Sequence, residues 1–257
     1  MNTTTTPANA FIDIGKTLDD GLYTTMQKIV VCLAALSIVL DGFDGQLIGF
    51  AIPVLIKEWG ITRGAFAPAV AAGLIGMAIG SACAGLFADR FGRRWAVIGS
   101  VFVFGAATCA IGLAPDVFTI AVLRFIAGLG IGGALPSSTT MTAEFTPTRY
   151  RTATIVCVPL GGMLAGLFSS VVLPIYGWRA LFFIGGALPL GLTVLLLLTL
   201  PESPRYLAHQ RHRWPELRAL LGRLSRPVPA DAVFIDAAEH KNEQREGFIS
   251  LFGTRKT

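Results

Sequence analysis

The chain of 257 residues is 53% hydrophobic and only 14% charged, whereas a soluble domain carries about 25% charged residues. A soluble fold is disfavoured, and the 29 glycines do not suit a disordered linker, because they sit inside long Leu, Val, Ile and Ala runs that disorder would expose. The net charge of +5 could suit a nucleic-acid partner, but the basic residues are placed as a membrane protein would place them, so no nucleic acid is expected. Cys32, Cys83, Cys109 and Cys157 stand singly in apolar stretches, with no C-x-x-C pair and no flanking histidine. Neither a metal site, a disulfide scaffold nor a cofactor is expected from them.

Residues 1–28 have no apolar core ahead of a small-residue cleavage site, so they read as a cytoplasmic N-terminal segment rather than a removable signal peptide. Six apolar stretches follow, at 29–51, 66–88, 95–114, 117–140, 152–176 and 180–200. Each has roughly the 20 residues that a membrane-crossing helix needs. The polar breaks between them are long enough only for turns. The fold class expected is therefore an all-α membrane protein, a six-helix transmembrane bundle over 29–200. Residues 201–257 are polar and basic and read as a cytoplasmic tail. Within that tail Trp214, Leu217, Leu220, Leu221 and Leu224 share one helical face, with Pro215 suited to a first turn. Such a helix would rest on the membrane surface or on the inner ends of the spans.

Orientation follows from the basic residues, since basic loops stay cytoplasmic. Lys16, Lys28, Arg90, Arg93, Arg94, Arg149, Arg151 and every Lys and Arg after residue 200 fall on one side, against Lys57, Arg63 and Arg179 on the other. Both termini are expected in the cytoplasm.

Inside the spans, the charged residues away from the ends are Asp41, Asp44 and Arg124. Each costs about 2.5–3.5 kcal/mol near a helix centre on translocon scales, so such groups face a bundle interior or a wet cavity. Asp41 and Asp44 are three apart and share a face. Gly42, Gly45 and Gly49 form a second stripe, suited to close helix approach, and Phe43, Leu47 and Phe50 a third and bulkier one. Two carboxylates on one face of a low-dielectric site repel, which suits the pair to taking up and releasing a proton. Arg124 keeps its charge, and its planar fork suits a carboxylate, either that of a substrate or that of Asp41 or Asp44. A permanent ion pair that fixes helix register is the alternative.

Ile48-Gly49-Phe50-Ala51-Ile52-Pro53 near the end of span 1 is echoed by Ile131-Gly132-Gly133-Ala134-Leu135-Pro136 near the end of span 4, an offset that also carries Asp41 onto Arg124. Three spans separate the copies, so the second runs the opposite way, as a three-plus-three inverted repeat requires.

The turn after span 2, Gly85-Leu86-Phe87-Ala88-Asp89-Arg90-Phe91-Gly92-Arg93-Arg94, matches the G-x-x-x-D-R-x-G-R-[RK] signature of the major facilitator superfamily. Its chemistry is readable directly. Gly85 permits close helix approach, Gly92 a tight turn, and Asp89 can pair with arginines or a helix dipole, so the cluster can latch one state and release another. The stretch from Arg124 to Gly133 resembles the family's span 4 signature, Pro201-Glu202-Ser203-Pro204-Arg205-Tyr206-Leu207 resembles the motif after span 6, and Gly177-Trp178-Arg179 is typical of the loop before that span. Asp41-Gly42-Phe43-Asp44 resembles the aromatic acid/proton symporters. Drug antiporters favour G-P-x-x-G-G in span 5, which Val158-Pro159-Leu160-Gly161-Gly162 does not match.

The resemblance implies a secondary transporter and no enzyme: proton-coupled uptake of a small aromatic carboxylic acid by alternating access. Arg124 would attract the carboxylate, Asp41 and Asp44 handle the proton, and the loop with Gly85, Asp89, Arg90, Gly92, Arg93 and Arg94 gate the inner side. Family members have twelve spans, so six look like an N-terminal half that needs a second half, or another copy, to complete its cavity in the bilayer of a bacterial inner membrane. The alternatives are another substrate class (a sugar, another carboxylate or an organic cation) or an inactive fragment or assembly module.

Overall fold

A computed structural model describes residues 11–19, 23–146, 157–225, 228–229 and 233–235. In chain order, strand β1 (Phe11–Asp13) and helix α1 (Ile14–Asp19) lead into the long helices α2 (Thr25–Trp59), α3 (Ala67–Phe91), α4 (Arg93–Ile111), α5 (Val117–Phe145) and α6 (Cys157–Thr199). The short helices α7 (Pro204–His209) and α8 (Trp214–Arg223) and strand β2 (Val233–Ile235) follow. Single 3-10 turns at Arg63–Phe66 and Arg211–Arg213 precede α3 and α8.

Five helices among the described residues are long and apolar enough to cross a membrane. The last of these, α6, has 43 residues, which as one straight rod would span about twice the ~30 Å hydrocarbon core. It breaks at Gly177, whose φ of +76° lies where residues with a side chain are rare. The contacts show the result. Gly161 lies against Val39 and Phe43, Gly166 against Phe50, and Trp178 beside Glu58 and Trp59, whereas Gly185 returns to Leu47. The arms 157–176 and 178–199 are thus antiparallel, and the described residues make six crossings of the bundle. Residues 152–156 of the expected fifth span, with Arg149 and Arg151, lie outside the described residues.

The packing has the symmetry of an inverted repeat. Helices α2 and α5 run antiparallel, with Gln27 Nε2 donating to Phe145 O (2.9 Å) at one end and Ser37 Oγ 2.9 Å from Ser138 Oγ further along. Gly76 of α3 meets Phe125 and Gly128 of α5, much as Gly161 of α6 meets Val39, Gly42 and Phe43 of α2. The second arm of α6 pairs with α4, Gly112 against Arg179 and Phe183 and Gly186 against Gly105 and Cys109.

Helix ends differ modestly from the expected spans, for a local reason in each case. Helix α2 starts at Thr25 because Thr24 and Gln27 form a capping box. It runs on through Lys57 and Glu58, charges that sit in its last turn with Gly60 as a left-handed cap. Asp116 caps α5, accepting from Thr119 N at 2.7 Å, and that backbone hydrogen bond pulls its carboxyl below the usual range.

The close approaches occur at other glycines than three of those singled out from sequence. Gly85 is exposed and an added Cβ would meet nothing within 4 Å; the same space surrounds Gly45 and Gly49. On α3 the buried row is Gly73, Gly76, Gly80, Ala84 and Ala88. Gly85, one residue on from Ala84, is rotated about 100° away from that row. Of the α2 stripe, Gly42 alone is met, by Gly161. A Cβ on Gly132 would lie 2.1 Å from Met77 O and one on Gly161 2.0 Å from Val39 O, both rigid backbone atoms. Gly132→Ala and Gly161→Ala should therefore each destabilise the bundle by about 1–3 kcal/mol, with Gly85→Ala and Gly49→Ala near neutral. Thermal unfolding in detergent is the check, and equal shifts for the two pairs would contradict this packing.

At the end carrying the basic turn, β1 pairs in parallel with β2, Ile12 opposite Phe234. Helix α8 forms where the sequence pattern places it. Leu217, Leu220, Leu221 and Leu224 are buried in one core with Ile14, Val30, Phe145, Leu196 and Leu200. The helix thus rests on the ends of the spans, and Trp214 meets Phe234 edge-on at 5.4 Å.

Candidate functional site: a buried charge cluster and a charged turn

The three charges inside the spans converge where α2, α4 and α5 meet. Asp44 is fully buried; its Oδ2 lies 3.4 Å from Arg124 Nη1, and its Oδ1 accepts the Thr108 hydroxyl. Asp41, one turn earlier, is 7% exposed, and its Oδ1 has no hydrogen-bond partner. Arg124 is 6% exposed; its Nε has no partner and faces Gly73 of α3, where an added Cβ would sit 3.6 Å away. Of the two aspartates left open as partners of Arg124, Asp44 is the one it contacts. Helix α4, which carries Thr108, comes close to α6 where Gly105 approaches Pro189 and Leu190. Low dielectric strengthens every interaction in this cluster and equally raises the cost of an unpaired group.

The second site is the turn at 89–94. Asp89 Oδ1 lies 3.4 Å from Arg93 Nη2, an ion pair that its spacing suggests, but the Asp89 side chain is mostly exposed. Two buried acids do more of the anchoring. Glu144, in the last turn of α5, lies 3.7 Å from Arg93 Nε. Glu202 Oε1 accepts from Arg94 N (3.0 Å) and Ser203 N (2.9 Å), Arg94 Nη2 donates to Leu197 O (2.7 Å), and Tyr206 Oη donates to Arg90 O (3.1 Å). Gly92 has φ +103°, and an added Cβ would lie 2.2 Å from Glu202 Oε2. The turn between α3 and α4 is thereby clasped by the ends of α5 and α6. Asp89, Arg90, Gly92, Arg93 and Arg94 all belong to this clasp, whereas Gly85 stands apart from it.

Thr108, Glu144, Glu202 and Tyr206 are not among the site residues expected from the sequence. Glu144 and Glu202 carry a signal, being acids beside apolar spans that also hold arginines. Thr108 carries none, because a threonine in a buried helix ordinarily bonds its own preceding turn. At the opposite end, Trp178 Nε1 donates to Glu58 Oε2 at 2.7 Å and Arg179 Nη1 to Gly112 O at 3.1 Å, closing that side of α2, α4 and α6. Among the described residues no group of three or more His, Cys, Asp or Glu could hold a metal ion.

A bundle of six crossings with inverted internal symmetry, a buried carboxylate–guanidinium cluster at mid-span and a clasped basic turn defines a half of a secondary transporter fold. Residues 34–248 match the model of the Major Facilitator Superfamily, and the chain belongs to that family of multi-pass membrane transporters; it is no enzyme. It is 38% identical over 238 residues to the 4-hydroxybenzoate transporter PcaK of Pseudomonas putida, covering 89% of this chain and 53% of that protein. It is 35% identical over 257 residues to the gallate transporter of the same organism, covering 96% and 57%. Among solved structures it resembles the proton:xylose symporter XylE bound to 6-bromo-6-deoxy-D-glucose, with a TM-score of 0.66 at 23% identity over 78% of this chain and 50% of that one. That likeness concerns the fold. The chain spans about half the length of the curated relatives it matches.

Proposed function

We propose that the chain forms the N-terminal half of a proton-coupled transporter of small aromatic carboxylic acids. The observation that carries this reading is the buried Asp41, Asp44, Thr108 and Arg124 cluster in the middle of an apolar bundle. A guanidinium there recognises an anionic ligand, and two carboxyls provide places for a proton. The names of the relatives at 35–38% identity supply the substrate class, since aromatic acids are what 4-hydroxybenzoate and gallate transporters carry. Residues 29–200 are the transmembrane bundle, and 201–257 correspond to the central loop of a twelve-span protein. The basic end faces the cytoplasm of a bacterial inner membrane, with both termini there. The clasp of Asp89, Arg93, Arg94, Glu144 and Glu202 gates that side, and Gly85, exposed on α3, faces the second six-span half. Closing the central cavity requires that half or another copy.

The test is co-expression with the second half of the Pseudomonas putida 4-hydroxybenzoate transporter, measuring uptake of labelled 4-hydroxybenzoate, its uncharged amide, xylose and an organic cation. Uptake of the acid alone, abolished by a protonophore, is expected. Preference for the sugar or cation, or uptake of the acid that survives the protonophore, would overturn the reading. Cysteine labelling in intact cells should find position 63 accessible from outside and position 93 protected; both on one side would remove the proposed orientation.

A further inference from the structure

Asp41 and Asp44 lie on one helix face, yet their surroundings are unequal. Asp44 is sealed, with no exposed surface, and each of its oxygens has a partner, Arg124 on one side and the Thr108 hydroxyl on the other. Neutralising it would strand a guanidinium that is itself 6% exposed and, among the described residues, has no second acid in contact. Asp41 has the opposite character. Its Oδ1 is buried without a hydrogen bond, no cation among the described residues pairs with it, and it keeps a 7% exposed surface through which a proton can exchange. Around the pair, the described charged and titratable groups are Arg124 from α5 and Cys109 from α4. The neighbouring turns of α3 and of the first arm of α6 bring Gly73 and Gly161.

Resting on the proton-coupled reading above, we infer that the two carboxyls divide the work. Asp41 carries the coupled proton, and Asp44, pinned by Thr108 and Arg124, stays as the fixed counter-ion. Thr108 is a positioning residue. Its hydroxyl donates to Asp44 and so favours the charged carboxylate, which keeps Asp44 out of the proton exchange. The step is a proton transfer: an O–H bond of hydronium breaks as an O–H bond forms on an Asp41 oxygen, leaving water and a neutral carboxyl, and the reverse occurs on release. When a substrate carboxylate competes for the guanidinium, Asp44 retains the Thr108 bond, so the charge balance is restored by the proton on Asp41.

The proposal is tested without substrate, on the 257-residue chain reconstituted in liposomes, by infrared difference spectra across a pH titration. A protonated buried carboxyl has a carbonyl stretch that the carboxylate lacks. One such band is expected to be lost in Asp41→Asn and kept in Asp44→Asn. Because Asp44→Asn alone strands Arg124, the charge-balanced Asp44→Asn/Arg124→Gln variant serves beside it, and the band should persist there too. Thr108→Val should add a further band that disappears on additional change of Asp44 to Asn, whereas Thr108→Ser, which restores the donor, should leave only the bands of the parent chain. A merely structural Thr108 would leave the number of bands unchanged. Loss of the band with Asp44 instead of Asp41, or no titrating band in the parent chain, overturns the assignment. The result is independent of the uptake assay: exchanged roles of the two aspartates leave the aromatic-acid reading standing, and failed uptake of the acid leaves the infrared assignment intact.

Discussion

Asp44→Asn is expected to destabilise the inserted chain by about 3–5 kcal/mol, the loss found when one partner of a buried ion pair is removed and the other left uncompensated. The amide can still accept from Thr108, so nearly all of that loss belongs to Arg124, whose Nη1 faces Asp44 Oδ2 at 3.4 Å. It should therefore be largely recovered in Asp44→Asn/Arg124→Gln, where two neutral amides replace the two charges. Asp41→Asn removes a group with no cation against it, and its effect on unfolding should be small. Detergent thermal denaturation of the four proteins, at matched insertion, measures this. A double variant no more stable than the single one would show that the pair is not the source of the loss, and equal effects of the two aspartates would contradict the inequality of their surroundings. In the co-expressed pair of halves, Asp41→Asn should nonetheless abolish uphill accumulation. Stability and coupling are thus expected to fall on different carboxyls.

The contrast explains what a linear reading of this chain could and could not supply. A bilayer imposes an average over about 20 residues, so the spans stand out in composition, and so does the reversal at Gly177-Trp178-Arg179. A lone arginine or aspartate at mid-span is costly enough to announce itself, which is why Asp41, Asp44 and Arg124 are legible. Which of the aspartates meets Arg124 depends on the rotation and translation of α2 against α5, and no local signal sets those. The same holds for the glycines. Gly80 and Gly85 are equivalent in sequence, but Gly80 faces the Leu129 carbonyl and Gly85 open space, because α3 turns its other face to α5. Thr108 and Glu202 act across sequence separations of 64 and 108 residues. Strand β1 pairs three residues near the start of the chain with three near residue 234, too short for any alternation to be read.

The clasp at the basic end gives the other large expected effect, in Gly92→Ala. At φ +103° and ψ 155° the backbone of this residue lies in a region essentially reserved for glycine, a strain of about 1–3 kcal/mol for any side chain. The added methyl would also lie 2.2 Å from Glu202 Oε2, so the carboxylate must move. Moving it removes the acceptor shared by Arg94 N and Ser203 N, each left unpaired at a further cost of about 1–3 kcal/mol. The two contributions are separable by a double-mutant cycle. Glu202→Ala alone should be destabilising through the two orphaned N–H groups. In the Glu202→Ala background the Gly92→Ala change has no carboxylate to displace, so it should retain only the backbone strain. The combined loss in melting temperature should fall clearly below the sum of the single losses. Strict additivity would mean that the methyl finds room beside Glu202 and that backbone conformation alone explains the glycine. Glu202→Gln, which keeps an acceptor oxygen for both N–H groups, should be the mildest of the set. If it is instead as damaging as Glu202→Ala, the charge of Glu202, rather than its two hydrogen bonds, holds the turn between α3 and α4 to the end of α6.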